Sequence, residues 1–116
     1  MQAADTISPD ISRLGGLPEA FEVASTADMR YTLVALHNVT GPIGAFAAAQ
    51  LSAAIPNFLV MELHALEVGW FEELSAQDEP VIRDGYFHFS GKPGLGIEID
   101  DDAARAHLLP GHSWFS

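Results

Sequence analysis

The sequence predicts an α/β fold with parallel strands, and three observations carry that prediction. Short β-prone apolar runs alternate with stretches of helical spacing across residues 1–66. The connections are short and marked by Gly and Pro, as at Gly15-Gly16 and Thr40-Gly41-Pro42. The runs Tyr31 to Leu36 and Phe58 to Met61 lack the alternation of a half-solvated strand and read as strands buried on both faces of a parallel sheet. A strand, helix, strand, helix, strand order with such connections requires right-handed crossovers, which align the strands and bring their C-terminal ends to one rim.

Each element has its own justification. Ile7 and Ile11 flank Ser8-Pro9-Asp10 ahead of Gly15-Gly16, so the opening reads as a short strand ending in a polar loop. Leu17, Ala20, Phe21, Ala24 and Ala27 recur at three and four residues, with Pro18 in the first turn and Glu19 and Glu22 near the positive helix end, which predicts an amphipathic helix. The run Tyr31 to Leu36 stops at His37-Asn38. Ile43 to Ala54 is rich in Ala with Pro56 just beyond, a second helix whose first turn Gly44 weakens slightly. The strand Phe58 to Met61 ends on the ionisable residues Glu62 and His64.

Residues 67–116 differ in character. Glu67 to Glu79 is acidic and irregular, with one short helix around Phe71 to Leu74. Asp84-Gly85 precedes Tyr86 to Phe89, and Gly91 to Gly94 separates that run from Leu95 to Ile99, which predicts a small β-hairpin between the two runs. Asp100-Asp101-Asp102 caps a last short helix, Ala103 to Leu108, with side-chain oxygens facing free N–H groups.

Composition bounds the function. A chain of 116 residues supports one domain, and 48% hydrophobic residues is too many for a disordered chain. With 16 acidic residues against 5 Lys and Arg the formal charge is 5 − 16 = −11, which disfavours the counterion-releasing contacts of nucleic-acid binding. The absence of cysteine excludes disulfides, thiolate metal sites and a cysteine nucleophile. Met1-Gln2-Ala3-Ala4-Asp5 lacks the pattern of a signal peptide, and no apolar run approaches the roughly 20 residues of a membrane span, so a cytoplasmic protein is expected.

Asp10, His37 and Glu62 each follow a predicted strand at its C-terminal end, so all three side chains are expected on one rim. Each also has a plainer reading. Asp10 suits a loop or a cap after Pro9, His37 a strand-end histidine satisfied by backbone, and Glu62 a solvated strand-end carboxylate. His64, His88, His107 and His112 lack zinc-site spacing and read as surface or packing residues. Asp100 to Asp102 lacks the ligand pattern of a calcium loop, and Gly91 to Gly96 lacks the setting of a phosphate loop. No residue is assigned as a metal ligand.

Four collinear segments add a resemblance: Ser8-Pro9-Asp10-Ile11-Ser12-Arg13-Leu14-Gly15-Gly16, Leu36-His37-Asn38-Val39-Thr40-Gly41-Pro42-Ile43, Pro56-Asn57-Phe58-Leu59-Val60-Met61-Glu62, and Asp84-Gly85-Tyr86 followed by Gly91 to Asp100. Together they resemble the C-terminal barrel segment of the mandelate racemase/muconate lactonizing enzyme branch of the enolase superfamily, in particular its galactonate-type acid-sugar dehydratases. The resemblance implies a partial β/α (TIM-type) barrel: strands six to eight within residues 1–66, and a C-terminal closing segment, with a hairpin and short helix, in residues 67–116. A whole barrel takes about 250 residues, so the first five strands and the family's capping domain are expected to be missing. Ser8 and Leu36 stand where the family usually has Gln and Pro.

The resemblance also implies roles. Asp10 would hold His37, fixing the imidazole tautomer, and His37 would be the general acid that protonates the departing hydroxyl. Glu62 would hydrogen-bond the substrate carboxylate and the enediolate, donating when protonated. Mg2+ is implied by the family, but its carboxylate ligands belong to strands absent here. The expected function is that of a fragment of a metal-dependent lyase acting on a sugar acid, inactive alone, with substrate bound only in a complete barrel. The alternatives are a non-catalytic remnant or self-associating α/β protein with exposed barrel edges, an independent small binding module, and a racemase or epimerase-type member. No function follows for the tail Gly111 to Ser116, where Trp114 and Phe115 suit packing.

Overall fold

Strands β1 (Thr6–Ile7), β2 (Leu33–Leu36) and β3 (Phe58–Met61) form one parallel sheet in the order β1-β2-β3, in a computed structural model that describes residues 3–64 and 69–114. The crossovers are the helices α2 (Leu17–Asp28) and α3 (Pro42–Ala54), each with proline in its first turn, where a missing N–H costs no helical hydrogen bond. The predicted alternation of strands and helices is therefore the observed one. Glu67 and Phe115 lie outside the described residues.

Several local expectations change. The stretch after Pro9 is a turn of helix, α1 (Ile11–Leu14), and not a polar loop: Asp10 caps its start and Gly15, at φ 102°, closes its end in the left-handed region. The second strand begins at Leu33, because Tyr31 sits at φ 54°, a conformation no strand accommodates. Nor are the strands buried on both faces. Val34 and Leu36 are buried on the side of the helices, whereas Leu33 on the other side is exposed, as are Phe58, Leu59 and Val60 of β3. Among the described residues only one face of the sheet is covered.

Helix α3 lies between two apolar clusters, which explains its alanines. Ala48, Leu51 and the following Ile55 join Ala20, Ala24, Val34 and Leu36 beneath the sheet. Ala45 and Phe46 face the other way, toward Phe71 and Val81. Small side chains let α3 approach partners on both sides, at a cost in area buried per residue. Gly44 is required for a related reason: a Cβ there would stand 2.7 Å from Thr40 Cβ, a clash that no Thr40 rotamer relieves. Thr40 in turn hydrogen-bonds Asn38 Oδ1 at 2.6 Å, holding the turn that follows β2.

Beyond β3 come α4 (Phe71–Leu74), β4 (Ile82–Arg83), β5 (Tyr86–Phe87) and α5 (Asp101–Ala106). The hairpin is real, but its partners differ from the expected ones. Tyr86–Phe87 pairs antiparallel with Ile82–Arg83, and Asp84-Gly85 is the turn itself, with φ 51° and 80° as a type I′ turn demands. Leu95 to Ile99 forms no strand, since Gly94 and Gly96 at φ 72° and 79° bend the chain; Leu95 and Ile97 pack against the Phe46 cluster instead. The last helix is Asp101–Ala106, slightly earlier than Ala103 to Leu108, and Asp100 caps it, accepting from the N–H groups of Asp102 and Ala103 at 2.9 Å.

Candidate functional site

The three strand-end residues meet at one rim because the parallel ladder runs on past the ends of the strands. The His37 N–H donates to Pro9 O at 3.0 Å and the Glu62 N–H to Leu36 O at 2.8 Å. A β-bulge sets which residues face one another: Val34 pairs with Phe58, but Ala35 pairs with Val60 and Leu36 with Met61, leaving Leu59 as the extra residue. Continuing that register puts Glu62 opposite His37. Without the bulge Met61 would stand there.

Asp10 is the anchor of the cluster. It is 7% exposed, and its two oxygens have separate duties. Oδ1 caps α1, accepting from the Ser12 N–H at 2.9 Å and the Ser12 hydroxyl at 2.6 Å. Oδ2 accepts from His37 Nδ1 at 2.8 Å and lies 3.2 Å from Arg13 Nε. The cap reading and the dyad reading of Asp10 are thus both realised, one on each oxygen. The Ser12 hydroxyl, then the bonds from His37 and the Ser12 N–H, hold the Asp10 carboxyl below its ordinary value against the opposing effect of burial.

An ionised carboxylate only accepts, so Nδ1 carries the proton and His37 presents Nε2 as its free nitrogen. That nitrogen is 3.7 Å from Glu62 Oε2, within ion-pair range but beyond a hydrogen bond. Glu62 Oε1 is bonded to His64 Nε2 at 3.0 Å. The result is a row of five ionisable groups, Arg13, Asp10, His37, Glu62 and His64, across the ends of three strands. Sequence reading missed Ser12 and Arg13, whose signal was the cap position of Asp10 two and three residues before them. It also placed His64 on the surface, which its exposure bears out, without its bond to Glu62.

A pocket of about 280 Å³ adjoins the dyad, lined by Asp10, His37, Asn38, Thr40, Gly44 and Ala48 among others. Asn38 is buried, and its Nδ2 has no hydrogen-bond partner. A larger apolar groove over β3 and the hairpin contains none of Asp10, His37 and Glu62, so apolar space and proton-handling groups occupy different parts of the surface. Among the described residues no group of three or more His, Cys, Asp or Glu side chains could hold a metal ion, and no helix is long and apolar enough to cross a membrane.

The lowered pKa of Asp10 has a consequence for stability. A carboxyl with a depressed folded-state pKa stabilises the fold above its unfolded value, and that contribution fades as pH falls through the folded value. Asp10→Ala is expected to lower the unfolding free energy by about 1–2 kcal/mol at neutral pH through loss of the cap. The gap to the parent should narrow below pH ~4, the unfolded carboxylate value. Denaturant titrations from pH 7 to pH 3 measure it, and a gap constant down to pH 3 would show that the ionised carboxylate adds nothing.

Comparison with known proteins places this geometry. Residues 1–103 match the family described as enolase C-terminal domain-like. Over 114 residues the chain is 46% identical to a D-xylonate dehydratase of Haloferax volcanii, covering 98% of this chain and 27% of that protein. A D-gluconate/D-galactonate dehydratase of Picrophilus torridus is 28% identical over 97% of this chain and 28% of its own length. Among solved structures, a mandelate racemase/muconate lactonizing enzyme-like protein from Rubrobacter xylanophilus superposes with TM-score 0.92 at 40% identity, over 98% of this chain and 29% of that one. An enolase from Pantoea ananatis, solved with bound D-gluconate and Mg, gives TM-score 0.78 at 28% identity, over 93% and 26% of the two chains. The chain spans little more than a quarter of the length of these relatives, and its parallel sheet and helices match part of an enolase C-terminal barrel.

Proposed function

The chain belongs to the enolase C-terminal domain-like family, and from that premise we propose that it supplies the general-acid rim of an acid-sugar dehydratase, a lyase that removes water from a sugar acid. The observation that carries this reading is the 2.8 Å bond from His37 Nδ1 to Asp10, which leaves Nε2 as the nitrogen able to hand over a proton. In the dehydration, the C–H bond beside the substrate carboxylate breaks and its proton goes to a base on another part of the barrel. The electron pair left behind becomes the C–C double bond as the C–O bond at the next carbon breaks. The departing hydroxyl takes its proton from His37 Nε2 and leaves as water. Glu62, opposite His37, in its protonated form donates a hydrogen bond to the negative charge that builds up next to the carboxylate.

Magnesium in this family stabilises that charge when bound. The described residues do not fit it on their own, lacking a cluster of three donors. What this chain provides is proton handling and orientation. A cytoplasmic setting belongs to the same reading, in keeping with a cysteine-free sequence.

A segment exchange tests the proposal. This chain, put in place of the matching 114-residue stretch of the Haloferax volcanii D-xylonate dehydratase, is expected to yield an enzyme that dehydrates aldonic acids, assayed by the 2-keto product. The 116-residue chain alone, with magnesium, is expected to be silent. A folded exchange protein that dehydrates none of xylonate, gluconate and galactonate would overturn the reading.

A second reading rests on the sheet's edges. β1 and β3 are its outer strands among the described residues, and β3 exposes Phe58, Leu59 and Val60 beside its unpaired edge. Such an edge is a template for another strand, so the isolated chain is expected to self-associate as concentration rises, despite a charge of −11. Light scattering measures this. A concentration-independent mass of 12.4 kDa would rule it out.

A further inference from the structure

We propose that His64 is a positioning residue: by holding one oxygen of Glu62 it keeps the other off His37, so that Nε2 stays open to substrate. The inference rests on the role given above to His37, but its geometric core stands apart from it. Glu62 and His64 are two residues apart in the irregular chain just beyond β3, and the imidazole ring reaches the carboxylate. His64 Nε2 stands 3.0 Å from Glu62 Oε1, and Glu62 Oε2 stands 3.7 Å from His37 Nε2. Asp10 already occupies His37 Nδ1. Nε2 is thus the one ring nitrogen left for chemistry, and the nearest acidic group to it is a carboxylate restrained from the far side.

The Glu62 side chain is 41% exposed and, without the bond to His64, free to change rotamer. Released from His64, it can close the gap to about 2.8 Å and make a charge-assisted bond to Nε2. That bond would occupy the nitrogen that must donate to the leaving hydroxyl. It would also turn Glu62 away from the substrate carboxylate. His64 is 62% exposed, so replacing it removes this restraint without opening a cavity.

The test is nitrogen-15 NMR of the imidazoles in the 116-residue chain. In His64→Leu the His37 Nε2 resonance is expected to move toward that of a hydrogen-bonded nitrogen. Glu62→Gln added to His64→Leu should return it, and His64→Gln, which keeps a donor, should leave it near the parent position. An unmoved Nε2 resonance in His64→Leu overturns the proposal whatever the activity. In the segment-exchange enzyme His64→Leu is expected to lower kcat about ten- to a hundredfold, with His64→Gln rescuing most of it. Should the parent exchange enzyme be inactive, the dehydratase reading fails, and the NMR result still decides the role of His64.

Discussion

His37→Gln, made in the segment-exchange dehydratase, is expected to lower kcat by about 10²–10⁴-fold, the usual worth of a positioned general acid. Glutamine retains much of the size and polarity of the ring, and its amide N–H can hydrogen-bond but is far too weakly acidic to transfer a proton. The loss, about 3–5 kcal/mol of transition-state stabilisation, should fall on kcat more than on KM, because the leaving hydroxyl needs the proton only as its C–O bond breaks. Thermal unfolding of the variant should stay close to that of the parent, since the His37 side chain is one-third exposed. Activity within about threefold of the parent would remove His37 from the chemistry and leave the dyad as a structural ion pair.

Phe46→Ala is expected to destabilise the 116-residue chain by about 3–5 kcal/mol. Phe46 is 0% exposed and meets Phe87 edge to face, ring centres 5.0 Å apart at 78°. It is the large side chain through which α3 grips Phe71, Val81 and the hairpin. The opposite side of α3 contributes only smaller residues to the cluster under the sheet. Against a total stability of about 5–15 kcal/mol, the loss is a large fraction. Urea unfolding measures it, and hydrogen exchange should show protection falling first across residues 71–97. A cost below 1 kcal/mol would mean that this segment is held in place by other contacts.

Much of the site was legible because its residues are tied to strand ends. A β-prone run that stops on an ionisable residue marks a rim position; His37 and Glu62 follow that rule, and Asp10 stands three residues beyond β1. Their meeting was less legible. The dyad depends on the ladder bond from the His37 N–H to Pro9 O, and the approach of Glu62 on a bulge at Leu59 that no residue type announces. Burial was legible only for one side. Apolar content in β3 implied cover on both faces, yet cover is a property of what packs against a strand, and Phe58, Leu59 and Val60 all remain exposed.

The chain's own sequence determined the order and type of its main elements, since periodicity and prolines act within a few residues of where they are written. It determined the caps at Asp10 and Asp100 and the turn at Asp84-Gly85 for the same reason. The pairing of Tyr86–Phe87 with Ile82–Arg83, and not with Leu95 to Ile99, follows from that two-residue turn and from Gly94 and Gly96, which bend the later run. Only the tertiary structure decided that one oxygen of Asp10 serves a helix while the other serves His37, and that Glu62 stands between two histidines. Those contacts join residues from three strands, and distances between strands are set by register and packing, which local sequence does not encode.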